Sequence, residues 1–177
     1  MITSAHACMM ARYNRWQNRG FFEAASTLSD SQRREDRGAF FGSLHTTLAH
    51  ILWADRVWMN RFAGTPPTSL QDDQGKGPAY ANWEGLKSER SQFDDVIVGW
   101  ADDLEDDWLA ADFTWSNVAK TRTATQPAWR LVAHFFNHQT HHRGQAHAIL
   151  TAFGVEMPDT DLFLLPPNDG RTDHLSQ

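Results

Sequence analysis

Long stretches of helical periodicity, separated by short polar breaks, organise this chain. The clearest runs from about Ser43 to Phe62, where Leu44, Leu48, Ile51, Asp55, Trp58 and Phe62 recur at 4-3-4-3-4, the seam of a packed helix. Gly64 followed by Pro66-Pro67 predicts its end. A first helix is expected from about Ala5 to Leu28, carrying Met9, Tyr13 and Trp16 at spacings of four and three, with Gly20 weakening its middle. Leu28-Ser-Asp-Ser31 and the charged run Arg33 to Arg37 read as a polar connection. Residues 64–81 hold three Pro and three Gly and predict a loop of a length that is often functional.

A third helix is expected from an Asn82 cap to about Leu109, on the seam Leu86, Phe93, Ile97, Trp100 and Leu104. Between Asp112 and Thr125 the pattern shortens to alternation, Phe113-Thr-Trp-Ser-Asn and then Lys120-Thr-Arg-Thr, which predicts a β-hairpin turning near Asn117. The last helix opens at Pro127, runs to about Phe153 and stops at Gly154. The segment Met157 to Pro167, with Asp-Leu-Phe-Leu-Leu, is expected to pack against the helices. The fold class that follows is all-α, a four-helix bundle with a small hairpin before the last helix. It is expected to be one domain over residues 1–167, followed by a polar tail, 168–177.

Composition narrows the function. Sixteen basic against 22 acidic residues give a net charge of −6, so no positive field attracts a phosphate backbone, and nucleic-acid binding is not expected. The single cysteine, Cys8, excludes an internal disulfide and a CxxC site. No run approaches the length of a membrane span, and the first thirteen residues lack a basic segment ahead of an apolar core. A soluble cytoplasmic protein is therefore expected. Nine histidines are the anomaly, and most of them cluster.

On the last helix the seam reads Leu131, Phe135, His138, His142, Gln145, Ile149. Where it should be apolar it becomes polar for two turns. His138 and His142 are four apart, so both imidazoles project from one face and can reach one metal ion. A single inward histidine is more often a hydrogen-bonded core residue, but a seam pair needs polar partners in a dry interior. His134 and His141 offer further i, i+4 and i, i+3 pairings. A third ligand must come from elsewhere, and His45 and His50 on the second helix are the candidates. His45 lies about 100° to one side of that seam and His50 about 120° to the other, so periodicity leaves both open. The ladder containing His50 (Ser43, Thr47, Ala54, Val57) is small and lets a neighbouring helix approach, which favours His50.

Three segments resemble the DinB family: Met10-Ala-Arg-Tyr-Asn-Arg-Trp-Gln-Asn18, Leu48-Ala-His-Ile-Leu-Trp-Ala-Asp-Arg-Val-Trp58 and Phe136-Asn-His-Gln-Thr-His-His-Arg-Gly-Gln145. The last is the most specific. The resemblance implies a four-helix bundle, commonly a homodimer, with one divalent metal, Zn or Ni, held by three histidines. Carried onto this chain, those are His50, His138 and His142, with His141 a second-sphere or surface residue and His134 at the bundle rim. It also implies a small-molecule substrate and thiol-dependent S-transferase chemistry on a low-molecular-weight thiol. Hydrolysis by metal-activated water, or a non-catalytic metal-binding stress protein, are the alternatives. Among nearby groups, Asp55 is expected to form an ion pair with an arginine such as Arg143. Tyr13 and Asn14 could line the pocket, but packing and capping are the commoner roles of such residues on a helix. Gln145 is expected to bind substrate or water, and Gly144 to mark a close helix approach.

Overall fold

A computed structural model describes residues 1–65, 73–77 and 80–167. Six helices, labelled in chain order, account for most of it: α1 Ser4–Ser26, α2 Asp30–Arg34, α3 Leu44–Ala63, α4 Trp83–Asp102, α5 Asp106–Ala110 and α6 Ala128–Ala152. Strands β1 (Asp112–Ser116) and β2 (Thr123–Pro127) pair antiparallel, Thr114 opposite Thr125, and form the expected hairpin before the last helix. The four long helices α1, α3, α4 and α6 make the bundle. Among the described residues, no helix is long and apolar enough to cross a membrane.

Local chemistry sets the ends. Ser43 caps α3 with a reciprocal capping box to Thr46, and Gly64 closes it in the left-handed region at φ +65°. Asn82 accepts the Gly85 amide at 2.7 Å and starts α4. The polar connection 28–37 is not wholly irregular: Ser29 and Gln32 form a second capping box and nucleate the single turn of α2. The expected third helix also breaks early. The run Asp102-Asp-Leu-Glu-Asp-Asp107 would crowd carboxylates at a helix C-terminus, where the dipole repels them. The chain instead leaves the helix after Asp102 and begins α5, placing Asp106 and Asp107 in a first turn where negative charge is favoured. Asp106 also accepts the Ser4 amide at 2.7 Å, tying α5 to the start of α1.

The core face of α1 differs from the aromatic stripe. Ala7, Ala11, Asn14, Asn18, Phe21 and Ala25 are buried, again at 4-3-4-3-4, while Met9 is exposed. Small residues let α1 lie close to α4 and α6, and the larger aromatics Tyr13 and Trp16 fall to the flank. The helix runs on through Gly20. A Cβ there would lie 2.9 Å from the Pro158 ring, so the glycine makes room for the C-terminal segment to cross. That segment is fastened by Tyr13 Oη donating to the Thr160 carbonyl (2.5 Å) and Gln17 Nε2 to that of Asp159 (3.2 Å). Met157 joins the core, but Leu162, Phe163 and Leu164 face solvent, contrary to expectation. The predicted polar tail, 168–177, and residues 66–72 and 78–79 of the 64–81 loop lie outside the described residues.

The interior is layered. One apolar cluster gathers Phe21, Leu48, Ile51, Leu52, Leu86, Ile149 and Leu150. A second gathers Ala11, Trp58, Met59, Ile97, Phe135 and Phe136. Between them along every long helix lies a buried polar layer: Asn14 and Asn18 on α1, Asp55 on α3, Arg90 and Asp94 on α4, Gln139 and Arg143 on α6. Burial on this scale requires pairing. Arg90 meets Asp55 at 2.6 Å and Asp94 at 2.8 Å. Gln139 donates to Asp55 (2.7 Å), Asn18 donates to Asp94 (2.9 Å), and Arg143 donates to Asn14 (2.5 Å). Asp55 is thus an ion-pair residue, but its partner is Arg90, not Arg143.

Candidate metal centre

The polar layer opens, on the α3–α6 side, into a cluster of imidazoles. His50 projects from α3, and His138 and His142 from successive turns of α6. The ring centroids are 4.5 Å apart for His138 and His142, 4.7 Å for His50 and His142, and 5.3 Å for His50 and His138. Each contributes one nitrogen to a group whose members all lie within 4.8 Å of one another. His50 and His142 are buried and His138 is half-buried.

The rings are aimed by their other nitrogens. His50 Nδ1 is 3.1 Å from the Gln74 carbonyl, which can only accept, so that nitrogen carries the proton and Nε2 keeps its lone pair. His142 Nδ1 donates to Gln145 Oε1 at 2.9 Å, while the Gln145 amide nitrogen faces His141 Nε2 at 3.3 Å. His142 Nε2 is therefore also a lone-pair nitrogen. His50 Nε2 and His138 Nε2 approach to 3.4 Å. Three ring nitrogens converge, and at least two of them present a lone pair to the space they share, so the donor set fits a metal ion.

Burial also keeps the cluster neutral. Desolvation holds His50 down to about 4 and His138 to about 3, with the neighbouring imidazoles adding to the effect, and it lowers His142 as well. Neutral imidazole is the ligating form. An ordinary histidine begins to lose metal to protons as pH falls through its usual value near 6.5. Here the lowered values move that competition toward acid. Metal affinity, followed by chelator competition, is expected to persist to lower pH than ordinary histidines allow and to be lost as pH falls through the lowered values.

Apolar rings surround His50. Phe41 stacks on it at 3.8 Å between centroids and 25° between planes, and Trp53 at 5.7 Å and 29°. Phe41 is placed by a tight turn in which the Gly42 amide donates to the Ala39 carbonyl (2.8 Å), with Gly42 at φ +79°. The Gln74 carbonyl is placed by the 3-10 turn Asp73–Gly75, which comes very close to α3. A Cβ on Gly75 would lie 2.7 Å from the Ala49 carbonyl carbon and 2.8 Å from His50 N, and its φ of +92° strains any other residue. Gly75→Ala is expected to push this turn off α3, release Nδ1 of His50 and weaken metal binding about 10–100-fold, as measured by competition titration. The bundle's melting temperature should change far less.

Other sequence expectations resolve as follows. His45 is buried elsewhere, with Nε2 at 2.7 Å from the Tyr80 carbonyl, and takes no part in the cluster. His141 is exposed and meets Gln145. His134 is exposed at the rim, its ring against Trp58 at 5.4 Å. Gln145 orients His142, not a substrate. Tyr13 and Asn14 hold the C-terminal segment and Arg143, and do not contact the histidines. Gly144 marks no close approach, since a Cβ there meets nothing within 4 Å. Sequence reasoning missed Phe41, Trp53 and the Gln74–Gly75 turn. Only the turn left a trace, as glycines within a long loop.

A layered four-helix bundle with three converging histidines on two of its helices defines a helical protein whose residues could hold a metal ion. The sequence model of the DinB family matches residues 1–170, and the chain belongs to that family. No curated protein and no solved structure matches it.

Proposed function

We propose that this DinB-family protein holds one divalent ion, Zn or Ni, through Nε2 of His50, His138 and His142, and uses it to activate a low-molecular-weight thiol for S-transfer. The observation that carries the metal reading is the convergence of the three nitrogens, with His50 and His142 anchored through Nδ1. Imidazole ligands suit both metals. Three protein ligands leave coordination positions open, as catalytic sites do. When bound, a divalent ion supplies the Lewis acidity that lowers the pKa of a coordinated sulfhydryl. The sulfur then bonds to an electrophilic carbon of a second substrate, whose leaving group departs with its electron pair, and the thiol proton passes to solvent.

The protein's own contribution is orientation and dryness. Gln74 and Gln145 fix two ring planes, and Phe41 and Trp53 keep water from the faces of His50. No carboxylate belongs to the cluster among the described residues, since Asp55 is committed to Arg90 and Gln139. A neutral ligand set leaves the ion's full positive charge available to an anionic sulfur.

The test is metal analysis of the purified protein together with a panel of small thiols and an alkyl electrophile, run with and without chelator. Chelator-sensitive thiol consumption is expected. Chelator-sensitive ester or amide hydrolysis without thiol consumption would replace S-transfer by hydrolysis. A chelator-dependent drop in melting temperature with no turnover would leave a structural or sensing role.

A further inference from the structure

From the histidine cluster a continuous strip of rings runs along the α3–α6 seam toward the hairpin. His138 meets His134 at 5.9 Å, His134 meets Trp58 at 5.4 Å, and Trp58 meets Trp115 of β1 at 5.5 Å. At the end of this strip is Arg61. Its guanidinium carbon lies 4.5 Å from the Trp58 ring centroid and 4.7 Å from that of Trp115. No carboxylate pairs with it among the described residues, although the protein carries six more acidic than basic groups and pairs Arg12, Arg15, Arg33, Arg37 and Arg56 with carboxylates. Desolvation alone lowers its pKa, with no acid opposing the shift. Beside it, Trp115 Nε1–H is a second donor without an acceptor. Arg61, His134 and Trp115 all retain some exposure, so the strip is open to small molecules.

A guanidinium resting against two adjoining indoles is stripped of part of its water and loses little entropy when it forms a paired hydrogen bond. Leaving it unpaired costs free energy unless something anionic arrives. Arg61 is eleven residues beyond His50 on α3, three turns along the same face, which puts the guanidinium roughly 15 Å along the helix from His50. Among the described residues no second cation stacks on these indoles, so a singly charged planar group is the better match.

We propose that Arg61, resting against Trp58 and Trp115, docks a carboxylate carried by the substrate of the histidine centre, roughly 15 Å from the atom that reacts. The proposal rests on the reading of the cluster as the reactive centre. The substrate class it defines is an elongated small molecule with a reactive sulfur or electrophile at one end and a carboxylate at the other. Its middle lies along His134 and Trp58.

The test is binding of ω-mercaptoalkanoates of increasing chain length, each paired with the ω-mercaptoalkanol of equal length, to the cobalt-substituted protein. The thiolate-to-cobalt absorption band reports occupancy. A preference for the carboxylate of about tenfold or more is expected, emerging only once the chain is long enough to span the strip. Arg61→Gln should abolish the preference and leave mercaptoalkanol binding and cobalt content unchanged, and Arg61→Lys should restore part of it. Equal binding of the two series by the wild-type protein overturns the proposal, as does a preference that survives in Arg61→Gln. Calorimetry with octanoate against octanol on chelator-treated protein reads the carboxylate contact without metal. Octanoate preference there, in a protein that takes up no cobalt, supports the anion site and removes only the metal reading.

Discussion

Replacing Arg90 by methionine is expected to cost about 3–5 kcal/mol of stability, seen as a large fall in the urea midpoint. Arg90 is only 2% exposed in its side chain and is the direct partner of both Asp55 and Asp94, which are 1% and 4% exposed. Removing it strands two carboxylates in the centre of the bundle, far more costly than losing a surface pair. Desolvation already raises both carboxyl groups, Asp94 to about 6, so without the arginine each would fold only by taking up a proton. Removing charge symmetrically tests the cause. The triple variant Arg90→Met, Asp55→Asn, Asp94→Asn should recover much of the loss. A single variant as stable as the wild type would show that the layer contributes little.

This layer also marks how far periodicity reads the fold. The bundle, the hairpin and most helix ends follow from spacing, caps and glycines, because those signals are local. The seam of α4 was legible too, but only through its large residues. Between Leu86 and Phe93 the seam position is Arg90, and a charge in a seam is the same anomaly that singles out His138 and His142. On α1 the seam is Ala and Asn apart from Phe21, while Tyr13 and Trp16 stand at its edge, so their size points to the wrong face. The break after Asp102 arises from accumulated charge near a helix end, which hydrophobic spacing does not register.

The site divides in the same way. His138 and His142 are a local pair on one helix, and their spacing alone brings them together. Choosing His50 over His45 requires knowing which side of α3 faces α6, a tertiary fact. The family resemblance supplied that choice, and the ring distances place His50 beside the pair and His45 against Tyr80. The Gln74 carbonyl and the Phe41 ring come from loops whose path no periodicity encodes. A backbone carbonyl carries no sequence identity at all, and only Gly75, forced by contact with Ala49, betrays where the loop must pass.

Alanine in place of His50, His138 or His142, one at a time, is expected to lower metal affinity by well over the 10–100-fold typical of outer-sphere changes. Metal content after desalting should fall from one ion per chain toward none. Two imidazoles cannot hold a divalent ion against water as three do, because each lost nitrogen removes a ligand that was already oriented and already neutral. His138 tests the idea most sharply: its ring faces both others, and deleting it leaves His50 and His142 each still fastened through Nδ1. A structural role would give the opposite profile, with the anchored rings mattering more for folding than the one between them. His45→Ala and His134→Ala serve as controls and should retain metal. Melting temperature provides a second readout, since saturating metal at about a thousand times its dissociation constant stabilises the folded state by roughly 4 kcal/mol. That metal-dependent shift should vanish in the three variants and persist in the controls. Full metal occupancy in all three would sink the site.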